Sequence, residues 1–72
     1  MALSEKLQLL ERLDALINQK STGAPKELAR RLGISAPSLF RYLNHLRNLG
    51  ADITFFKERM SYGYENDFHL RL

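Results

Sequence analysis

The stretch that decides the fold of this 72-residue chain covers residues 25–43 and reads PKELARRLGISAPSLFRYL. Two short helices that meet steeply need a small residue where they cross and a glycine in the turn between them. Ala29 and Gly33 have the spacing that this arrangement requires. Leu39 and Leu43 then fill the corner from the side of the second helix. The stretch therefore predicts a helix, a tight turn and a second helix.

The flanking segments complete a predicted α+β fold, in which three helices are followed by a C-terminal β-hairpin. Ser4 and Ser35 are suitable N-caps for the first and third helices. After Gly50 the apolar period changes from about 3.6 residues to about 2, which is typical of a strand. We predict one domain, with helix 1 over about residues 4–20, helix 2 over about 25–32, helix 3 over about 36–49 and the hairpin over about 52–65.

Helix 1 has an unusually broad apolar face. Its apolar residues, Leu7, Leu9, Leu10, Leu13, Leu16 and Ile17, cover an arc of about 180°, against about 100° for an ordinary surface helix. Such an arc is typical of a core face, and its extra width leaves room for a partner. We therefore predict a weak homodimer through Leu9, Leu13 and Leu16.

Basic residues are concentrated in the middle of the chain. Residues 20–59 contain eight lysines and arginines and three acidic residues, a net charge of +5, whereas each flank has a net charge of −1. This distribution is typical of a protein with an anionic partner, and an ordinary solvated surface is the alternative. Lys57 and Arg59 lie near the hairpin tip and would share a face of a regular strand. A hairpin that carries charge only for solubility is the other interpretation of this pair.

The face of helix 3 opposite its leucines is polar and consists of Pro37, Ser38, Arg41, Asn44, His45 and Asn48. Serine, arginine, asparagine and histidine can hydrogen-bond to base edges and phosphates. Arg41 is the strongest candidate because its planar guanidinium can bind guanine or phosphate through two hydrogen bonds, and Asn44 could read adenine. The alternatives are a solvated face and an Arg41 paired with a nearby acid. The candidate nucleic-acid-binding residues are Ser35, Pro37, Ser38, Arg41, Asn44, His45, Lys57 and Arg59.

A family resemblance extends over nearly the whole chain. It rests on LARRLGIS (28–35), LFRYL (39–43), Leu46, LGA (49–51), Ile53 and Gly63-Tyr64. These segments are similar to winged helix-turn-helix domains at the N-terminus of biotin-repressor-like and deoxyribonucleoside-repressor-like bacterial transcriptional regulators. The resemblance implies sequence-specific binding of double-stranded DNA, with helix 3 in the major groove and the hairpin as a wing on the backbone or minor groove. Many relatives have basic or polar residues where this chain has Ala36-Pro37, which predicts modest affinity.

Other classes of function have little support in the sequence. The chain has no cysteine, and His45 and His69 are far apart, so no ordered set of metal ligands is present. Phosphate loops and nucleophile elbows are also missing. We therefore expect neither an enzyme nor a cofactor or small-molecule site. No apolar run approaches the roughly 20 residues that span a bilayer, and we expect a cytoplasmic protein without a membrane partner.

Two other functions remain open at this point. The same fold also serves protein–protein interaction or dimerisation without specific DNA binding. The broad apolar face of helix 1, and an exposed Phe56 or Tyr62, would favour that use. RNA binding is a weaker option, and the positive middle of the chain favours DNA.

Overall fold

A computed structural model describes residues 4–70 of the chain. It confirms the predicted α+β fold, because three helices are followed by a two-stranded antiparallel hairpin. The elements are α1 (Glu5–Asn18), α2 (Pro25–Leu32), α3 (Ala36–Asn48), β1 (Ile53–Phe56), a 3-10 turn (Lys57–Arg59) and β2 (Ser61–Tyr64).

The turn between α2 and α3 closes with two backbone hydrogen bonds. Gly33 has a φ of 72°, and its N–H donates to the Arg30 carbonyl at 3.1 Å. The Ile34 N–H donates to the Ala29 carbonyl at 3.0 Å. This is the Schellman termination, in which glycine takes the left-handed backbone at no steric cost. The Ser35 side chain then caps the N-terminus of α3, so local chemistry fixes where this helix begins.

The end of α1 differs from the prediction, since the helix stops at Asn18 and does not reach Lys20. Lys20 takes a left-handed backbone with a φ of 52°, and the Ser21 N–H donates to the Leu16 carbonyl at 3.1 Å. Glycine usually occupies this position, which is why the sequence did not mark the stop. The Lys20 side chain crosses to the hairpin, where its Nζ lies 5.1 Å from the centroid of the Phe56 ring.

One apolar core lies between the three helices and the hairpin. The leucines and the isoleucine at its centre are no more than 2% exposed; they are Leu10, Leu13, Ile17, Leu28, Leu39, Leu43 and Leu46. The prediction that Leu13 contributes to a dimer surface is wrong, because its side chain is 0% exposed within this core. Leu9 and Leu16 are partly buried against the same core. The domain itself therefore covers much of the broad face of α1, and homodimerisation through this helix stays a prediction.

The hairpin packs one side of its sheet against the core. Phe55 and Tyr62 are paired across the strands, and their rings meet edge to face with centroids 5.1 Å apart. Tyr62 is only 6% exposed, so it does not provide the exposed aromatic side chain that would have favoured a protein-interaction module. Phe56 is partly buried and lies beneath the ammonium group of Lys20. Neither Tyr62 nor Phe56 is thus a freely exposed side chain.

A pair of buried hydroxyl groups joins the loop after α1 to the start of β2. Thr22 and Ser61 are both completely buried. The Thr22 N–H donates to Ser61 Oγ at 2.9 Å, the Tyr62 N–H donates to Thr22 Oγ1 at 2.9 Å, and the two hydroxyl oxygens are 3.2 Å apart. Buried polar groups are tolerated when they are hydrogen-bonded. This pair therefore fixes the hairpin against the helices.

A second link connects β2 to the middle of α1. The Tyr64 hydroxyl donates to Asp14 Oδ1 at 2.7 Å. Burial, followed by the hydrogen bond and the charge of Asp14, raises the pKa of Tyr64 well above its ordinary value. Ionisation would place a desolvated phenolate beside a carboxylate. Burial also raises the pKa of Tyr62.

The raised pKa of Tyr64 predicts a loss of stability in alkali. The folded state holds this proton more tightly than the unfolded chain, so its contribution is complete below about pH 10 and is lost as the pH rises further. We expect the free energy of unfolding to fall between about pH 10 and 11.5. The slope should be shallower in Tyr64→Phe by up to about 1.4 kcal/mol per pH unit. Urea unfolding at several pH values measures it, and equal slopes in the two proteins would contradict this account.

Candidate nucleic-acid interface

The structure places the polar side chains predicted on α3 along one face of the helix. Ser35, Pro37, Arg41, Asn44 and His45 are exposed, and Ser38 is partly buried. The opposite face contributes Leu39, Leu43 and Leu46 to the core, each 0% exposed. The division into an inward and an outward face is therefore the one that the helical spacing predicts.

Arg41 has no acidic partner in the part of the chain that the structure describes. Its Nη2 donates to Ser38 Oγ over a long distance of 3.4 Å. Within residues 4–70, the one ion pair joins Glu27 and Arg30 at 2.7 Å. Within these residues, Arg41 is therefore not paired with an acidic side chain, which was the alternative interpretation. Most of the hydrogen-bond donors of this guanidinium remain available to an anion or a base.

Two other candidates on α3 already make hydrogen bonds within the protein. Ser35 Oγ accepts the Ser38 N–H at 3.3 Å and donates to Ser38 Oγ at 3.1 Å. Asn44 Oδ1 accepts from Arg47 Nη1 at 3.2 Å, and Arg47 Nη2 donates to the Ile53 carbonyl at 3.3 Å. Ser35 therefore positions the start of α3. Asn44 is steadied by an arginine that braces α3 against β1, and its amide NH₂ can still donate.

A basic cleft lies beside the outward face of α3. It has a volume of about 270 Å³ and is lined by Lys6, Ser38, Arg41, Tyr42 and His45. None of these lining residues is acidic. Sequence reasoning missed Lys6, because only the packing of α1 beside α3 brings it near Arg41. A lysine in the first turn of α1 gives no signal of its own at the level of sequence.

The hairpin tip presents two cations in a different arrangement from the predicted one. Lys57 and Arg59 are exposed, but they belong to a single 3-10 turn that ends at Met60, which has a φ of 48°. Residues two apart in such a turn are about 120° apart around its axis. The expectation that Lys57 and Arg59 share a face is therefore wrong.

Besides Lys20, which lies over the Phe56 ring, three basic residues of segment 20–59 bind carboxylate or carbonyl oxygens of the protein itself. Arg30 pairs with Glu27, and Arg47 braces β1 through the Ile53 carbonyl. Arg31 Nη1 donates to the Ser21 carbonyl at 2.8 Å, which ties α2 to the loop after α1. Not all of the eight cations in this segment are therefore free of a partner within the protein.

A comparison with known families decides what kind of domain carries this interface. The sequence model of the IclR helix-turn-helix domain matches residues 8–51, a stretch that includes α2, the Gly33 turn and α3. The chain belongs to the IclR helix-turn-helix family. The IclR-type domain is a DNA-binding module of transcriptional regulators and not an enzyme.

Comparisons with curated proteins and with solved structures give no further relative of this chain. No curated protein and no solved structure matches the chain. The more specific resemblance to biotin-repressor-like and deoxyribonucleoside-repressor-like regulators stays a prediction. The matched stretch ends before β1, so the wing lies outside it.

The described part of this IclR-type domain has neither a membrane-spanning helix nor a cluster of metal-ligating side chains. None of the helices within residues 4–70 is long and apolar enough to cross a membrane. The same residues contain no group of three or more side chains placed to hold a metal ion.

Proposed function

We propose that this IclR-type domain binds a specific sequence of double-stranded DNA as part of a bacterial transcriptional regulator. In this proposal α3 is the recognition helix in the major groove, and the wing contacts the backbone or the minor groove. The observation that carries it is the outward face of α3, where Arg41 is exposed and, within residues 4–70, has no acidic partner. A regulator of this kind acts on the chromosome in the cytoplasm, in accord with the predicted location.

The dimensions of a helix support the placement of α3. An α-helix with its side chains is about 10–12 Å across, and the major groove of B-DNA is about 12 Å wide. Cations on either side of an inserted helix then come near the two phosphate backbones. Lys6 lies in the cleft on one flank of α3. Lys57 and Arg59 are carried by the wing that follows this helix.

The outward residues of α3 divide into those that can read bases and those that position the helix. Arg41 is proposed to bind guanine through its planar guanidinium, and Asn44 to donate from its amide to a base edge. Ser38 and His45 are proposed to contact phosphates or base edges. Pro37 has no backbone N–H and contributes contact surface alone. Ser35 is proposed to act by fixing the start of α3, because its hydroxyl is already engaged.

The test compares Arg41 with the cations at the flanks, after selection of a preferred site from a random duplex library at low salt. Arg41→Ala should weaken binding to that site by about 1–3 kcal/mol and relax the preference at one base pair. Lys6→Ala, Lys57→Ala and Arg59→Ala should instead weaken all sequences about equally. Each should reduce the slope of log affinity against log salt by about 1 for every phosphate that is no longer neutralised.

Arg12→Ala is the matched control, because it removes a cation of α1 that does not line the basic cleft. Its guanidinium donates instead to the Arg31 carbonyl at 3.2 Å. We expect the salt slope of this variant to match the parent's. If the variants at Arg41, Lys6, Lys57 and Arg59 all lost affinity equally for every DNA sequence, Arg41 would have no base-reading role. An absence of binding even at low salt would favour the protein-interaction module instead.

A further inference from the structure

Phe40 is an aromatic residue of α3 that the domain leaves partly in water. Its side chain is 46% exposed. The other three phenylalanines of the chain all make ring contacts: Phe55 with Tyr62, Phe56 with Lys20 and Phe68 with Tyr64. No such ring contact is made by Phe40 within residues 4–70. A large apolar ring that is half exposed on the candidate recognition helix is available to an apolar group of a bound partner.

The position of Phe40 places it beside the residues proposed to read bases. Residues three and four apart are neighbours on a helix surface, so Phe40 adjoins Pro37 on one side and Asn44 on the other. It also precedes Arg41 directly. All three of these neighbours are exposed. The ring therefore lies at the border of the outward face, within the surface that an inserted α3 would present to the major groove.

The chemistry of the major groove offers one apolar group at this depth. Base edges there present hydrogen-bond donors and acceptors, and thymine adds its 5-methyl group, which apolar side chains such as phenylalanine contact. We propose that Phe40 packs against a thymine methyl, so that the preferred site has a thymine within about two base pairs of the base bound by Arg41. The inference rests on the proposed function, because it requires α3 in the major groove.

Charge argues against a second copy of the chain as the occupant of this site. Arg41 is exposed next to Phe40 and has no acidic partner in the described residues. Two copies that met through this face would bring their Arg41 side chains together, and like charges at close range disfavour association. A polyanion such as DNA gains from the same cation. Thymine in duplex DNA therefore fits the combination of an apolar ring and a free guanidinium.

The test removes the methyl group alone, by replacing each thymine of the selected site in turn with deoxyuridine. For the parent we expect one position at which this change weakens binding about fourfold, the loss of one buried methyl group. In Phe40→Ala the ratio of thymine to deoxyuridine affinity at that position should fall to about 1. Leu49→Ala is the matched control, since Leu49 is 53% exposed at the far end of α3. It should keep the fourfold ratio.

The possible results separate this inference from the proposed function. A selected site without thymine, or a fourfold ratio that survives in Phe40→Ala, would overturn the role of Phe40 while leaving the base-specific loss of Arg41→Ala intact. Failure of the parent to prefer any duplex would overturn both. A Phe40→Ala variant that binds DNA like the parent but sediments as a smaller species would overturn the role as well, by showing that the ring serves self-association.

Discussion

Replacing Leu43 by alanine is expected to lower the free energy of unfolding by about 2–5 kcal/mol, a large fraction of the stability of so small a domain. Leu43 is completely buried between α3 and the rest of the core. Its truncation removes apolar contacts and leaves a cavity that the surrounding backbone can close only in part. Leu39→Ala should behave in the same way, because Leu39 is equally buried one turn earlier. Urea unfolding followed by circular dichroism measures both.

The control for this prediction is a leucine of the same region that the core does not cover. Leu49 at the end of α3 is 53% exposed, so Leu49→Ala should change the free energy of unfolding by no more than about 0.5 kcal/mol. A parent-like unfolding curve for Leu39→Ala and Leu43→Ala would mean that α3 presents a different face to the core. The polar face proposed to meet DNA would then be assigned wrongly as well.

Thr22→Val is expected to lower the free energy of unfolding by about 2–3 kcal/mol, although it preserves the shape of the side chain. The substitution removes the acceptor of the buried Tyr62 N–H and the hydroxyl that faces Ser61 Oγ. A buried donor without an acceptor destabilises the folded state by about 1–3 kcal/mol, because it has lost its hydrogen bonds to water and gains none in the protein. Urea unfolding gives the total. Hydrogen exchange of the Tyr62 amide shows whether the loss is centred at the start of β2.

Thr22→Ser is the control for the hydroxyl pair, because it keeps the oxygen and removes only a methyl group. We expect it to retain the protection of the Tyr62 amide and to lose much less stability than Thr22→Val. If valine were tolerated as well as serine, the hydrogen bonds between Thr22 and β2 would not be what secures the hairpin, and the link from Tyr64 to Asp14 would have to carry that role.

The parts of the fold that could be predicted from the sequence are those governed by local rules. Gly33 marks the turn because a left-handed backbone favours glycine, and Ser35 marks the start of α3 because its side chain caps the helix. The period of the leucines in α3 assigns its inward face. The end of α1 could not be predicted, since Lys20 takes a backbone conformation that lysine seldom adopts.

The candidate site was predictable only where it depends on a single helix. The outward residues of α3 follow from its period, whereas the position of Lys6 depends on how α1 packs beside α3. In the sequence, Arg31 and Arg47 contribute to the positive charge that suggests an anionic partner. Their acceptors are the carbonyls of Ser21 and Ile53, which no pattern of side chains reveals. Exposure of Phe40 likewise depends on what the tertiary fold leaves uncovered.

If the wing contacts DNA as proposed, the attachment of the hairpin to the helices also limits which DNA sites the domain can bind. β2 is bonded to the helical layer at Ser61 and Tyr64, and β1 is bonded to it at Ile53. Because both strands are held, the backbone distance between Arg41 and the hairpin tip that carries Lys57 and Arg59 is fixed by the fold. Each added base pair displaces the backbone by about 3.4 Å along the duplex axis. In the proposed complex, a DNA site would therefore have to keep a set spacing between the bases under α3 and the phosphates under the wing, because the hairpin is not a flexible arm that could absorb an insertion.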